Sequence, residues 1–447
     1  MHTFCSIGNE QEKRKTCQGL KGVIMEYLSL IILVAAIAIG FARKINIGLI
    51  SIFFAAALGY LSGQFTGKEI ISGFSGSLFL TLAGVTLVFA IVRSNNSLDL
   101  LMMKVCSKIK KAIWLIPVIF FIFSWLVSAA GPGLIPTAAL VVVLALPLAH
   151  ATGYNPIMLS IIGVHAADAG RCTMLTTEGN LVTELLDKQG YTQNIVYGIN
   201  AGSTVLAIIL SMIVFIYYKG YKVSGSNVHL EAAEARFTVK QLLSLCGILA
   251  MSLLILVFHV STGLAAFSVA AVLLLLGVAD EKECFKTMPW RTILMVTGVG
   301  ILMNEVIALG GIATLSNFLS SIMSPRTASA LIGLTAGILS WFSSTLGVVM
   351  PTLIPTTADI IQKVGGNVTT LEIVGAIVMT SSTAGLSPAS TAGALTCGAI
   401  SGDAEYNSKY PSSKLFVEMF AWATVSIGLL CLIYLTGFWK LFQIFCF

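Results

Sequence analysis

The stretch GVHAADAGRCTMLTTEGN, residues Gly163–Asn180, decides how this chain is read. It lies inside an otherwise apolar sequence, yet it gathers His165, Asp168, Arg171 and Glu178, punctuated by Gly170 and Gly179. A charge at the centre of a bilayer costs ~2.5–3.5 kcal/mol on insertion scales, so ionisable residues at that depth read as a functional site.

The surroundings require the membrane reading. The chain has 447 residues, 56% of them hydrophobic and 10% charged, with a mean hydropathy of +0.92. That composition excludes an ordinary soluble domain and implies many membrane spans. The net charge of +6 reports orientation more than partners, and with no basic stripe interleaved with aromatics, no nucleic acid is expected. The nine cysteines form no C-x-x-C pair and read as small hydrophobes in packed helices. No H-E-x-x-H, G-x-S-x-G, P-loop or Cys/His set at metal spacing occurs. Neither an enzyme nor a resident metal or cofactor is expected.

The apolar runs divide the chain in four. Residues 1–24 are a polar N-terminal tail, 25–219 a first transmembrane repeat, 220–241 a polar cytoplasmic linker, and 242–447 a second repeat. Ala83-Gly84-Val85 aligns with Thr297-Gly298-Val299, Ser124-Trp125 with Ser340-Trp341, and Ala169-Gly170 with Ala384-Gly385. These matches fall in one order at offsets of 214 to 216 residues, which argues for duplication.

Each half carries a paired segment, Ala112–Ala149 and Ala328–Ile361, interrupted by Gly131-Pro132-Gly133 and by Thr345-Leu346-Gly347. A full crossing needs about 20 residues and each arm is marginal for that. Both segments therefore read as helical hairpins whose tips lie inside the protein. Five crossings then remain per half, and an odd number makes the second repeat inverted relative to the first. With both termini outside, most cations between Arg43 and Lys414 fall on the inner side, leaving Lys68, Lys188, Arg326, Lys363 and Lys440 outside. The fold class expected is an all-α polytopic membrane protein of two inverted repeats, each of five transmembrane helices plus a re-entrant hairpin, with broken helices at the midplane.

Inverted repeats with interrupted helices hold substrate near the midplane, at the repeat interface. A helix that begins there offers unpaired N–H groups and a positive dipole end to anions, and carbonyl ends offer sites to cations. Four such ends are expected: after Gly131-Pro132-Gly133, after Ser343-Ser344-Thr345, between Gly170 and Thr177, and at Gly385-Leu386-Ser387-Pro388. In the last, Ser387 reads as an N-cap and Pro388 as the first helical residue. Arg171 can engage a carboxylate through its planar fork, or it simply neutralises Asp168. Asp168 either ligates sodium, carries a proton or pairs with Arg171. Glu178 is expected near the outer exit, in contact with solvent. Beside the transporter reading stand a sodium/proton antiporter and a membrane protein that only binds or scaffolds.

The run SGFSGSLFLTLAGVTLVFAI, the tip SAAGPGLIPTAAL and the later SPASTAGAL resemble MatC-type dicarboxylate carriers of the ion-transporter superfamily. More distantly the chain is similar to divalent anion–sodium symporters. The resemblance runs from Met25 to the C-terminus. It implies a transport domain with two hairpins and two broken helices, a homodimeric scaffold and elevator-like movement. The symporters carry Ser-Asn-Thr at both tips, on substrate carboxylate and beside sodium, and by position Ser128 through Gly133 and Ser343 through Thr345 correspond. Neither tip here has the asparagine, so the coupling ion is sodium or proton.

The expectation is a cation-coupled, elevator-type secondary transporter of a small organic anion, a C3–C4 dicarboxylate such as malonate, malate or succinate, in a bacterial cytoplasmic membrane. The substrate-binding candidates are Gly131, Pro132, Gly133, Arg171, Thr173, Ser344, Thr345, Ser387, Pro388 and Thr391. The cation-coupling candidates are Ser128, His165, Asp168, Gly170, Ser343 and Gly385.

Overall fold

The computed structural model describes residues 2–43, 45–98, 100–101, 104, 113–223, 236–342, 344–388 and 390–446, with no account of the side chains of residues 2–21. Ser343, most of the linker and much of the Lys104–Lys111 stretch lie outside the described residues.

Among the described residues the secondary structure is helical throughout, and seven helices are long and apolar enough to cross a membrane. Shorter apolar helices such as Ile47–Ser62, Pro156–Gly170 and Ala328–Trp341 accompany them. Large side chains stay exposed on the outer faces, with Phe53 at 67% and Leu275 at 87%. Helices apolar on all sides, with backbone groups satisfied internally, are what lipid permits. This is an integral membrane protein.

The two halves repeat one order of elements. The first runs His2–Arg43, Ile47–Ser62, a short Gly67–Ser72, then Gly76–Ser94. The second runs Val239–Leu256, Thr262–Leu275, a short Glu281–Thr287, then Trp290–Ala308. The polar residues from His2 to Ile24 thus enter the first helix. A hairpin arm, a second arm, a broken span and a closing helix follow in each half: Ile116–Ala129, Leu134–Thr152, Pro156–Gly170 with Thr177–Asp187, and Val196–Tyr217. Their counterparts are Ala328–Phe342, the interrupted stretch from Thr345 to Val364, Thr370–Thr383 with Thr391–Gly402, and Ser412–Tyr434.

The repeats interlock through glycines. Ile47–Ser62 packs on Trp290–Ala308, and Thr262–Leu275 packs on Gly76–Ser94. A Cβ on Gly298 would lie 2.4 Å from the Gly48 carbonyl oxygen, and one on Gly84 would lie 3.0 Å from the Gly263 carbonyl oxygen. Gly48 and Gly263 hold equivalent places in the two halves, as do Gly84 and Gly298. Each half therefore lends its second span to the third span of the other, backbone against backbone, as small residues allow in membranes.

Hairpin arms pack on the helices that precede the breaks: Ile116–Ala129 and Leu134–Thr152 on Pro156–Gly170, and Ala328–Phe342 on Thr370–Thr383. Pro156–Gly170 is buried along its whole length. It starts cleanly because Asn155 accepts from the N–H groups of Ile157 and Met158 while Pro156 takes the first helical position. It is the axis around which the first half of the site is built.

Candidate functional site

At the first tip, Gly131 (φ 145°) and Gly133 (φ 69°) adopt backbone conformations that side-chain-bearing residues rarely take. The turn Gly131-Pro132-Gly133 lets the Leu134 helix begin inside the protein, as expected, and the N–H of Gly133 donates to the Ser128 carbonyl at 3.3 Å. Ser128 Oγ in turn donates to the Ala167 carbonyl at 2.7 Å. Thr173 Oγ1 donates to the Ala129 carbonyl at 2.9 Å. Gly170 admits this contact, since a Cβ there would stand 2.4 Å from the Trp125 carbonyl oxygen. Tip and break are thus one unit, made of Ser128, Gly131, Gly133, Gly170 and Thr173.

The second half uses the same device with different residues. Ser340 Oγ and Thr345 Oγ1 both donate to the Ser381 carbonyl, at 2.6 and 2.9 Å. Ser344 Oγ accepts from the Gly347 N–H at 3.1 Å, capping the π-helical stretch Thr345–Val349. The break itself differs from expectation. Ser387 has extended backbone (ψ 133°) before Pro388, as a residue preceding proline prefers. The helix therefore starts later, at Thr391 with Ser390 at its cap position, so Ser387-Pro388 is not the cap and first turn read from sequence. Ser387 is buried beside Gly385, whereas Thr391 is exposed and lines a surface groove with Val142 and Val143.

Between the two units lies the charged group. Arg171, 1% exposed, donates from Nη1 to Ser382 Oγ at 2.6 Å and stands 3.4 Å, through Nη2, from Glu178 Oε1. It thereby ties the first break to the helix before the second. Its ion-pair partner is Glu178, not Asp168. Glu178 is 2% exposed, which corrects its expected position at a solvated exit. The break bends the chain back so that Thr177 opens a new helix with Glu178 in its first turn. Glu178 Oε1 accepts the Leu134 N–H at 3.2 Å, and Oε2 accepts from Thr177 Oγ1 at 2.7 Å. Two helix amino ends and a guanidinium therefore converge on one carboxylate, a strongly anion-favouring place.

Asp168 and His165 are buried, and none of their side-chain N or O atoms has a hydrogen-bond partner among the described residues. Asp168 lies within electrostatic reach of Arg171 and Glu178. A cavity of about 20 Å³ lies between the tips, lined by Pro132, Glu178, Leu346, Thr86 and Thr292 among others. That is room for about one water. Among the described residues no group of three His, Cys, Asp or Glu side chains could hold a metal ion.

The fold is that of a polytopic helical membrane protein whose two interrupted spans and hairpin tips meet at one buried cluster. Residues 23–171 match the family described as the dicarboxylate carrier protein MatC N-terminus, so the resemblance read from the sequence holds over that part of the chain. That family is one of carriers rather than enzymes. Among solved structures the chain is similar to the YdaH transporter of Alcanivorax borkumensis, a structure noted for an unusual topology. The TM-score is 0.54 at 13% identity, over 84% of this chain and 86% of that one. None of the curated proteins compared with the chain matches it.

Proposed function

We propose that the chain is a secondary active transporter of small organic anions, with a C3–C4 dicarboxylate as substrate, coupled to cations and working by elevator-type alternating access. The observation that carries this reading is the meeting of both hairpin tips and the first break at a buried cluster containing Arg171 and the amino end of the Leu134 helix. N–H, Ser and Thr donors and one guanidinium suit a carboxylate. The family match supports the dicarboxylate class.

Moving a dianion inward against an inside-negative potential costs ~2.3 kcal/mol per charge per 100 mV. Two coupled cations offset this, and a third makes the potential helpful. Asp168 is the proposed coupling group, with carbonyls around Ser128 and Gly170 beside it. A buried carboxylate whose oxygens have no hydrogen-bond partner among the described residues suits a site that alternately gains and loses a cation. The same unpartnered Asp168 supports the second reading, a sodium/proton antiporter. The chain would act as a homodimer in a bacterial cytoplasmic membrane, both termini outside.

Uptake of labelled malonate, malate and succinate into proteoliposomes, with sodium and pH gradients imposed one at a time, tests the proposal. Gradient-driven accumulation of one of these acids is expected. Sodium-driven proton flux without anion movement selects the antiporter.

A further inference from the structure

The seat that a transported carboxylate needs is already filled by a side chain of the protein. Glu178 Oε1 holds the Leu134 N–H at 3.2 Å and lies 3.4 Å from Arg171 Nη2. A Cβ on Gly133 would stand 2.0 Å from Glu178 Oε2, so the carboxylate presses directly against the tip. The adjoining cavity of about 20 Å³ is far too small for a three-carbon diacid. A separate feature marks the place as a ligand seat: Arg171 Nε is buried and has no hydrogen-bond partner among the described residues. Its Nη1 is committed to Ser382. The Nε and Nη2 edge is the fork a carboxylate takes in a bidentate pair. Glu178 reaches only the Nη2 side of it.

Resting on the reading of the chain as an organic-anion transporter, we propose that Glu178 is an internal stand-in for the substrate carboxylate, which closes the empty site and is displaced when substrate binds. The incoming carboxylate takes Arg171 Nε and Nη2 together with the Leu134 N–H, and Glu178 rotates away from the tip. No bond forms or breaks, and the exchange replaces one carboxylate by another against the same donors. The competition sets affinity and selectivity: an anion succeeds by outbidding a tethered carboxylate, which favours ligands whose second carboxylate finds donors of its own.

Among the described residues, the elements packed around Glu178 add no rival charge. Gly76–Ser94 presents Leu82 and Thr86, Trp290–Ala308 presents Thr292 and Ile293, and the second tip presents Leu346. The ionisable neighbours are Arg171, Asp168 and Cys172, all from the broken span.

The test is malonate and succinate binding to the purified full-length protein in detergent, by calorimetry and by ligand-induced thermal shift, for wild type, Glu178→Gln and Glu178→Asp. Gln keeps an acceptor for the Leu134 N–H while removing the competing charge, and binding is expected to tighten at least tenfold, with a larger thermal shift than in wild type. Asp keeps a partner for Arg171 but is one methylene shorter, so it guards against loss of folding in the Gln variant. It is expected to tighten binding about threefold. Unchanged or weaker binding in a folded variant overturns the proposal. Wild-type uptake in proteoliposomes is measured alongside. If wild type moves an organic anion and neither variant binds more tightly, only the stand-in role fails; if wild type moves none, the transport reading fails first.

Discussion

The Leu134 N–H donates to Glu178 Oε1 at 3.2 Å across 44 positions of chain. This contact joins the first helix to start inside the protein to the second, because Glu178 itself sits in the opening turn of Thr177–Asp187. With Arg171 3.4 Å from the same oxygen, the geometry gathers a guanidinium and a helix amino end on one buried carboxylate.

Replacing Arg171 removes the ion-pair partner of a carboxylate that is 2% exposed. Breaking a buried pair from one side costs about 3–5 kcal/mol. Arg171→Ala is therefore expected to lower the melting temperature and abolish uptake, and Arg171→Lys, which keeps charge without the planar fork, to retain the fold better than uptake. Uptake and affinity unchanged in Arg171→Ala would remove Arg171 from the substrate site.

Asp168 is proposed to couple, not to bind substrate. Asp168→Asn should remove the dependence of uptake on the imposed sodium or pH gradient while leaving exchange of labelled for unlabelled substrate across the membrane. Counterflow measured beside gradient-driven uptake separates the two. Gradient-driven accumulation at the wild-type level in Asp168→Asn would exclude this role.

Gly170 sits where a Cβ would lie 2.4 Å from the Trp125 carbonyl oxygen. Backbone cannot yield as a flexible side chain can, and overpacking of this kind costs about 1–3 kcal/mol. Gly170→Ala should push the first tip off the break and reduce uptake severely in protein that still assembles. By contrast, beyond its own stretch of helix no described residue comes within 4 Å of a Cβ on Gly398, and Gly398→Ala should transport as wild type does. Parallel uptake of the two variants checks the contrast.

Orientation is testable with exposed lysines. Lys188 and Lys286 are 59% and 69% exposed. With both termini outside, Lys188→Cys in a background lacking the native cysteines should react with an impermeant maleimide in intact cells, and Lys286→Cys only after permeabilisation. The reverse pattern would invert the topology.

Much of the architecture is legible in the sequence because glycine and proline report backbone needs directly. Gly131-Pro132-Gly133 marks the first tip, and the Ser-Trp, Gly84 and Gly298 matches mark a duplication that the structure expresses as interlocked spans. The position of Glu178 is not legible in the same way. It depends on how the Leu134 helix meets the break, a tertiary contact that local pattern does not encode. A cap pattern, a threonine two residues before an acid, would have been the signal: in the structure Thr176 accepts the Gly179 N–H at 3.1 Å and Glu178 lies in the first turn. The cross-helix bonds of Ser382 and Ser340 are not legible, because a serine in an apolar helix gives no sign of bonding outside it, and the Ser381 carbonyl that accepts from Ser340 and Thr345 is main chain and leaves no sequence signal at all. At the second break, Pro388 looked like a helix start, but the restriction it places on Ser387 moved the start to Thr391.

The buried cluster around Arg171 is proposed to carry an organic dianion across the membrane with the help of cations. Accumulation of labelled malonate or succinate in proteoliposomes, driven by an imposed sodium or pH gradient, tests it most directly. Accumulation above equilibrium is expected, abolished by Arg171→Ala and uncoupled from the gradient by Asp168→Asn. Well-folded protein that moves no organic anion under either gradient would contradict it.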